Sequence, residues 1–140
     1  PLYNAGTIEA VFDKIVPNDF GVIFASATTN SRLGMAIGSG GNIIWASNGQ
    51  HPTYDANLLS STSASEDGCW INGVQQVSVE TASFGHSATS FSSVGGRYFN
   101  NVAGGFFNGK IYSVRIYNRR LSVAEILQNL SVDRKRFGIG

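Results

Sequence analysis

The chain has 140 residues, of which 42% are hydrophobic and 14% are charged, and its formal net charge is +1. This length suits one domain with a single core, and the hydrophobic content excludes a disordered tail. Ser, Thr, Asn and Gly supply most of the polar surface, a composition common in secreted and virion-surface β proteins. No run approaches the length of a membrane-spanning helix, so we expect no membrane insertion. The chain opens on Pro1 without a signal-peptide pattern, so we expect a mature product or a domain excised from a larger protein.

Short strands separated by turn residues fill the first half of the chain. Residues 7–12 alternate, which predicts a half-buried strand with Ile8, Ala10 and Phe12 on one face. Three more apolar runs follow at a spacing of roughly ten residues that is typical of β-sandwiches: residues 21–26, 33–37 and 42–46. Residues 48–56 then form the longest aperiodic polar stretch, before a strand near residues 57–63. Long polar loops carry binding and catalytic residues more often than the strands that they connect.

The middle of the chain contains its strongest hairpin pattern. Asn72-Gly73 predicts a two-residue turn, because both residues tolerate positive φ, and apolar runs at 67–71 and 74–78 predict strands on both sides. Residues 83–94 are rich in Ser, Thr and Ala, and we expect Phe91 and Val94 to belong to the core. Residues 95–105 are rich in Gly and predict a long apical or ligand-binding loop.

A long strand follows the Asn108-Gly109 turn, over residues 110–117. Alternation predicts that Val114 and Ile116 point into the sandwich and that Arg115 points out, as does Tyr117. Ile111 is apolar but has the parity of Arg115, so we expect a β-bulge between them. We therefore expect Ile116→Ala to be costly and Arg115→Ala to cost much less.

A helix follows that strand. Its apolar stripe recurs at a period near 3.6 and contains Leu121, Val123, Ile126, Leu127 and Leu130. Ser122 stands three residues before Glu125, which is the spacing of a capping box at a helix start. The sequence thus predicts a short, two-turn helix that covers an edge of the sandwich.

The C-terminal segment resembles the last strand and closing helix of laminin-G-like, concanavalin A-like jelly rolls. The sequence pattern of that family is close to F-x-G-x-I-x-x-V-x-I-Y-x-R-x-L-S-x-x-E-I. The matching positions are Phe107, Gly109, Ile111, Val114, Ile116, Tyr117, Arg119 or Arg120, Leu121, Ser122, Glu125 and Ile126. Residues 7–10 (Thr-Ile-Glu-Ala) and 70–74 (Trp-Ile-Asn-Gly-Val) match further strands of the family, while residues 15–65 match loosely. The resemblance implies an all-β, two-sheet antiparallel sandwich over residues 1–140, with one short C-terminal helix.

The residue patterns do not support catalysis or nucleic-acid binding. No two carboxylates alternate within a strand as in glucanases of this fold, Glu9 with Asp13 being the nearest pair, and no Gly-x-Ser-x-Gly elbow accompanies the histidines. Cys69 cannot form an internal disulfide, so we expect a small buried hydrophobe. Residues 1–109 carry three basic and seven acidic residues, and residues 110–140 carry seven basic and two acidic residues. Strand and helix geometry separate these basic residues, so we expect no nucleic-acid partner.

Calcium is the one metal that the family resemblance brings in, because laminin-G-like and pentraxin-like relatives often hold one ion at a loop rim. Asp55 with Asn57, or Glu66 with Asp67, could begin such a site. Neither pair has the dense carboxylate spacing of a specific calcium loop, so polar loop capping is the simpler interpretation and we assign no cofactor.

Two loop clusters combine aromatic with planar polar side chains, the composition that recognises sugars. The first contains His51, Tyr54 and Asp55, and the second contains Arg97, Tyr98, Asn100 and Asn101. Trp45 and Trp70 lie within strands and fit core positions better. The sequence therefore predicts a non-catalytic carbohydrate-binding or adhesin-like module of a secreted, cell-surface or virion protein. The alternative is a structural assembly or decoration domain, which allows for an oligomer, and whose loops contact neighbouring subunits. Aromatic residues at such contacts look the same in sequence as those of a sugar site.

Overall fold

A computed structural model describes residues 6–14, 21–27, 32–37, 43–45, 60–65, 68–77, 91–99 and 102–139. Within these ranges the chain forms eleven strands and one helix. In chain order they are β1 (Thr7–Lys14), β2 (Gly21–Ala27), β3 (Arg32–Ile37), β4 (Ile43–Trp45), β5 (Ser60–Ser65), β6 (Gly68–Ile71), β7 (Val74–Val77), β8 (Phe91–Val94), β9 (Arg97–Phe99), β10 (Val102–Gly104), β11 (Gly109–Tyr117) and α1 (Val123–Phe137).

Two antiparallel sheets contain nine of these strands. The five-stranded sheet has the order β11-β1-β5-β6-β7, and the four-stranded sheet has the order β4-β3-β2-β8. β10 and β9 pair separately as a two-stranded ribbon. The first four predicted strands are confirmed with small shifts at their ends, and the strand expected near residues 57–63 is β5, at Ser60–Ser65. The all-β sandwich with a C-terminal helix is therefore confirmed.

The main core lies between the two sheets, and both contribute to it. Its buried members are Ile8, Ala10, Phe12, Ile23, Phe24, Met35, Ile37, Ala64, Cys69 and Ile71. Ile8, Ala10 and Phe12 share the predicted face of β1, and Cys69 is fully buried as expected. The Phe12 ring meets the Phe107 ring edge-on, with centroids 5.9 Å apart, an arrangement that aromatic pairs prefer.

β11 has the predicted bulge. Val11 on β1 pairs with Ser113, but the next residue, Phe12, pairs with Ile111, so Tyr112 is the extra residue of β11. The bulge changes the parity of the strand. Ile111 therefore packs against the core together with Val114 and Ile116, as predicted.

The turn between β6 and β7 is the predicted two-residue hairpin. Asn72 has φ 49° and Gly73 has φ 79°, and two positive values are what a type I′ turn requires. Asn72 is also fixed to β5: its backbone N–H donates to the Ser61 carbonyl at 2.7 Å, and its Oδ1 accepts from the Ser61 amide at 2.8 Å. The turn is thus held by its neighbouring strand as well as by its own conformation.

The helix has the predicted start and a later end than predicted. Ser122 Oγ accepts from the Glu125 amide at 3.2 Å, and Glu125 Oε1 accepts from the Ser122 amide at 3.0 Å, so the capping box is confirmed. The helix then runs for 15 residues to Phe137, where Gly138 adopts the left-handed conformation with φ 71°. The two-turn length was wrong, because the buried stripe continues beyond Leu130 with a polar residue, Asp133.

The helix covers the outer face of the five-stranded sheet rather than an edge of the sandwich. Trp70 from β6 packs there with Leu121 and Ile126, and Tyr117 borders the cluster. Burying a side chain such as Ile126 stabilises the fold by about 1.5–3 kcal/mol. Trp70 is therefore buried, as expected, but beneath the helix and not between the sheets. This cover buries β5 on both faces, and all six of its residues are buried.

Two predictions for residues 91–105 were wrong. Val94 is 59% exposed and not in the core; it ends β8, which is the last strand in the order of its sheet and so has a neighbour on one side only. The long loop at 95–105 contains β9 and β10 instead. The side chain of Phe91 and residues 83–90 lie outside the part of the chain that the structure describes.

We expect Ser122→Ala to lower the free energy of unfolding by about 1 kcal/mol, because a first-turn amide loses its acceptor. Ser131→Ala is the matched control, since Ser131 lies exposed within the same helix and makes no cap. Chemical denaturation of both variants tests this expectation, and equal effects of the two substitutions would contradict it.

We expect Gly73→Val to lower the free energy of unfolding by about 1–3 kcal/mol, because a β-branched residue resists positive φ. A Cβ at this position would also lie 2.6 Å from Leu130 Cδ2, inside the helix contact. Gly104→Val is the control, since a Cβ there meets nothing within 4 Å. Thermal melting compares the two; a Gly73→Val protein as stable as the Gly104→Val protein would refute the turn geometry.

Candidate functional site

Two of the predicted ligand residues lie within the part of the chain that the structure describes. Arg97 and Tyr98 occupy adjacent positions on β9. The other predicted ligand residues, and the calcium candidates, lie outside the described residues: His51, Tyr54, Asp55, Asn57, Glu66, Asp67, Asn100 and Asn101. Their role as a binding site thus remains a prediction.

The ribbon of β9 and β10 is short. Arg97 pairs with Gly104, Tyr98 with Ala103 and Phe99 with Val102. Only Asn100 and Asn101 lie between the paired Phe99 and Val102, so the polar residues of this predicted cluster lie within one hairpin-sized segment. Two apolar residues separated by a pair of asparagines are the sequence pattern from which the ribbon could have been predicted.

Main-chain hydrogen bonds attach the base of the ribbon to β2. The Gly95 amide donates to the Ile23 carbonyl at 3.0 Å, and the Val22 amide donates to the Gly105 carbonyl at 2.8 Å. Gly95 has φ 79° and Gly105 has φ 60°, values that favour glycine. The ribbon is therefore anchored to the four-stranded sheet at both of its ends.

Two consecutive phenylalanines leave this base in opposite directions. The Phe107 amide donates to the Gly95 carbonyl at 2.9 Å, and its ring packs against the core. Phe106 is 68% exposed. Phe106 was not among the predicted ligand residues, although two adjacent aromatic residues of one extended segment cannot both face the same core.

The described residues contain no group of three or more His, Cys, Asp or Glu side chains that could hold a metal ion. Within the same residues, no helix is long and apolar enough to span a membrane.

The carboxylate of Glu9 lies under the helix, on the outer face of β1. It is 1% exposed and accepts from Ser63 Oγ at 2.7 Å, from Arg115 Nε at 3.2 Å and from Asn129 Nδ2 at 3.0 Å. The Tyr117 hydroxyl donates to the same carboxylate at 3.2 Å. Four donors, from two strands and the helix, therefore converge on one buried group.

Asp133 is the second buried carboxylate of this network, and it too is 1% exposed. The Arg115 guanidinium donates to both of its oxygens, at 2.8 and 2.7 Å, in the bidentate geometry that makes such pairs strong. Ser61 Oγ donates to it at 3.0 Å. Arg115 thus bridges a carboxylate on β1 and a carboxylate on α1.

This arrangement raises the pKa values of two side chains, Arg115 and Tyr117. The hydrogen bond to Asp133, followed by the charges of Asp133 and Glu9, raises the pKa of Arg115 against the effect of its burial. Burial, with the Glu9 charge as the second cause, raises the pKa of the Tyr117 phenol. Arg115 therefore stays charged, and Tyr117 keeps the proton that it donates to Glu9.

A separate surface pair borders the helix start. Arg119 donates to both oxygens of Glu125, one of them at 2.8 Å. The hydrogen bonds from Arg119 and then from the Ser122 amide lower the pKa of Glu125 to about 2. Glu125 therefore stays ionised in its capping role at any ordinary pH.

The carboxylate network is built for structure rather than for hydrolysis. A glycosidase needs two carboxyl groups facing an open groove, whereas Glu9 and Asp133 are buried and hydrogen-bonded on several sides. Among the described residues, the ribbon, with Arg97 and Tyr98 on β9 and exposed Phe106 at its base, is the remaining candidate for ligand contact.

No protein-family model matches the sequence, and no curated protein matches it. Solved structures do match in fold. The CBM40 carbohydrate-binding module of the Ruminococcus gnavus IT-sialidase, bound to α2,3-sialyllactose, gives a TM-score of 0.73 at 13% identity and covers 91% of this chain and 83% of the module. The likeness establishes the fold, a two-sheet β-sandwich.

Two longer enzymes contain a similar fold in part of their length. A leech intramolecular trans-sialidase complexed with 2,7-anhydro-Neu5Ac gives a TM-score of 0.70 at 15% identity, with 91% of this chain and 23% of that chain covered. A Trypanosoma rangeli sialidase in complex with sialic acid gives a TM-score of 0.63 at 17% identity, with 94% and 23% covered.

The network reverses the expectation that Arg115→Ala is mild. Arg115 does point away from the core, as predicted, but towards the helix and not towards water. Its removal leaves two buried carboxylates without their shared cation, and we expect a loss of about 3–5 kcal/mol in the free energy of unfolding. Ile116→Ala removes a partly buried side chain, and about 2 kcal/mol is expected for it.

Chemical denaturation measures these losses, and two further variants control the interpretation. Arg119→Ala removes an exposed arginine and should have a far smaller effect. Adding Glu9→Gln and Asp133→Asn to Arg115→Ala should recover part of the loss, because the buried charges are then gone. An Arg115→Ala protein no less stable than the Arg119→Ala protein would overturn the role of Arg115.

Proposed function

We propose that this chain is a non-catalytic carbohydrate-binding module of the laminin-G-like kind, and that its ligand is a sialylated glycan. One observation carries the proposal: the fold matches, over 91% of this chain, a CBM40 module whose structure holds sialyllactose. The matching module with α2,6-sialyllactose bound gives a TM-score of 0.65.

The residues of the predicted site fit such a ligand. Sialic acid carries a carboxylate, and an arginine binds a carboxylate with two parallel hydrogen bonds. Arg97 on β9 supplies that residue type, Tyr98 supplies a stacking ring, and Asn100 and Asn101 supply amides for sugar hydroxyls. Tyr54 with His51 and Asp55 forms the second half of the proposed site.

The module belongs, on this proposal, to a larger protein at the outside of a cell or on a virion, where sialylated glycans are displayed. The low charged fraction and the Ser-, Thr- and Asn-rich composition favour that setting. Burial of both network carboxylates supports a role in recognition without hydrolysis.

Titration calorimetry with α2,3-sialyllactose tests the proposal, and lactose is the matched ligand that lacks the carboxylate. We expect measurable binding of sialyllactose, weaker binding of lactose, and an affinity for sialyllactose that falls with ionic strength, since exposed charges are screened beyond about 10 Å at 0.1 M salt. Repeating the titration with calcium and with a chelator tests the calcium candidates. Equal affinity for the two sugars would remove the sialic acid assignment.

Matched variants locate the contacts. Tyr54→Ala or Tyr98→Ala should abolish binding without lowering the melting temperature. Replacing Arg134, Lys135 and Arg136 together by Gln should leave binding intact if the loops hold the ligand. Loss of binding only in that triple variant would move the site to the helix end.

The alternative function, a structural assembly domain, has one observation in its favour. Exposed apolar side chains lie where the helix meets the β6–β7 turn: Val74 is 62% exposed, Val123 is 51% exposed and Leu127 is 47% exposed. A surface of this kind suits a contact with a neighbouring subunit. Sedimentation over a range of concentrations distinguishes the alternatives, because an assembly domain would self-associate and Leu127→Asp would abolish that association.

A further inference from the structure

We infer that Phe106 is a stacking platform for the apolar face of a pyranose ring, and that the ligand site therefore extends to the base of the β9–β10 ribbon. The inference rests on the proposed function and adds a residue that the predicted clusters do not contain. Its geometry comes only from described residues: Phe106, the glycines around it, and the strands that hold them.

The backbone on both sides of Phe106 is fixed. The Gly105 carbonyl accepts from Val22 at 2.8 Å, and the Phe107 amide donates to Gly95 at 2.9 Å. Phe107 already fills the inward position against Phe12. Phe106 is therefore kept outside without any conformational change that a ligand would have to induce, a preorganisation that reduces the entropic cost of binding.

The exposure of this ring is unusual for the molecule. Phe106, at 68%, is the most exposed large hydrophobic side chain among the described residues. Tyr112 is 43% exposed, and its ring already packs against Phe137 with centroids 5.7 Å apart. The Phe106 ring gains little free energy from burial in the fold, and its exposed face is open to a ligand.

Glycine surrounds the ring. Cδ1 and Cε1 of Phe106 lie 3.1 and 3.5 Å from the point that a Cβ on Gly96 would occupy, so one edge of the ring rests on bare backbone. The Gly104 carbonyl lies 3.4 Å from the same point, and a Cβ on Gly104 would meet nothing within 4 Å. No side chain of residues 95, 96, 104 or 105 therefore obstructs a sugar that approaches the ring.

The chemistry fits a saccharide better than an ion. A phenylalanine ring offers no charge and no hydrogen bond, but its face attracts the C–H groups of a pyranose, and water is released from both surfaces. In sialyllactose, the neutral galactose and glucose rings carry such C–H faces.

The experiment compares sialyllactose binding by the wild-type protein, Phe106→Ala, Phe106→Trp and Tyr112→Ala in calorimetry, with melting temperatures measured in parallel. We expect Phe106→Ala to weaken affinity about three- to tenfold, the value of one aromatic stack, with an unchanged melting temperature. Phe106→Trp should retain affinity, and its fluorescence should change more on ligand addition than that of the wild type. Tyr112→Ala, an exposed aromatic outside this base, should bind like the wild type.

Two failures are distinguishable. If the wild-type protein binds sialyllactose and Phe106→Ala binds it equally well, the platform is refuted while the proposed function stands. If the wild-type protein binds neither sialyllactose nor any other glycan of an array, the proposed function falls and the platform falls with it.

Discussion

The need to cover the outer face of the five-stranded sheet determines much of this structure, and one arginine makes the cover possible. The inner face of β1 packs in the sandwich, while its outer face carries Glu9, which cannot be buried without partners. Arg115 supplies the partner and joins Glu9 to Asp133 of the helix. Thr7 completes the attachment, because its hydroxyl donates to the Arg119 carbonyl and accepts from the Leu121 amide, both at 2.9 Å. A polar layer therefore holds the helix in one register, while Trp70, Leu121 and Ile126 supply apolar burial.

The uneven distribution of charge along the chain has its explanation in this layer. The acidic first part and the basic last part of the sequence meet where Arg115 contacts Glu9, and Arg119 contacts Glu125 within the last part. Basic residues that look like a polyanion site in the sequence thus serve partly as internal partners. Replacing the buried charges by apolar residues of similar size can be neutral for stability; their benefit here is a single arrangement of the helix on the sheet.

The local elements could be predicted from the sequence, but the packing of the helix on the outer face of the five-stranded sheet could not. Alternation and the bulge in β11, the Asn72-Gly73 turn and the Ser122–Glu125 cap all depend on neighbouring residues, so they followed from local rules. Alternate positions of β1 and β5 carry polar residues, as the solvent-facing side of a strand would: Glu9, Ser61 and Ser63. These residues are buried only because the helix packs over them. The ribbon was missed because strands of three residues carry little periodicity. Of the candidate ligand residues, Arg97 and Tyr98 fell on one strand, whereas Phe106 escaped notice because its exposure depends on long-range anchoring of Gly95 and Gly105 to β2.

The position of β1 has a consequence for the order of events during synthesis. β1 leaves the ribosome before both of its partners in the sheet: β5, whose residues lie about fifty positions later, and β11, about a hundred positions later. Contacts so distant in sequence close late and slowly. Until residues 109–133 have been made, the backbone of β1 lacks one strand and the Glu9 carboxylate lacks its arginine. A nascent chain therefore cannot complete the five-stranded sheet before β11 has been translated, and α1, which follows β11, packs on that sheet last.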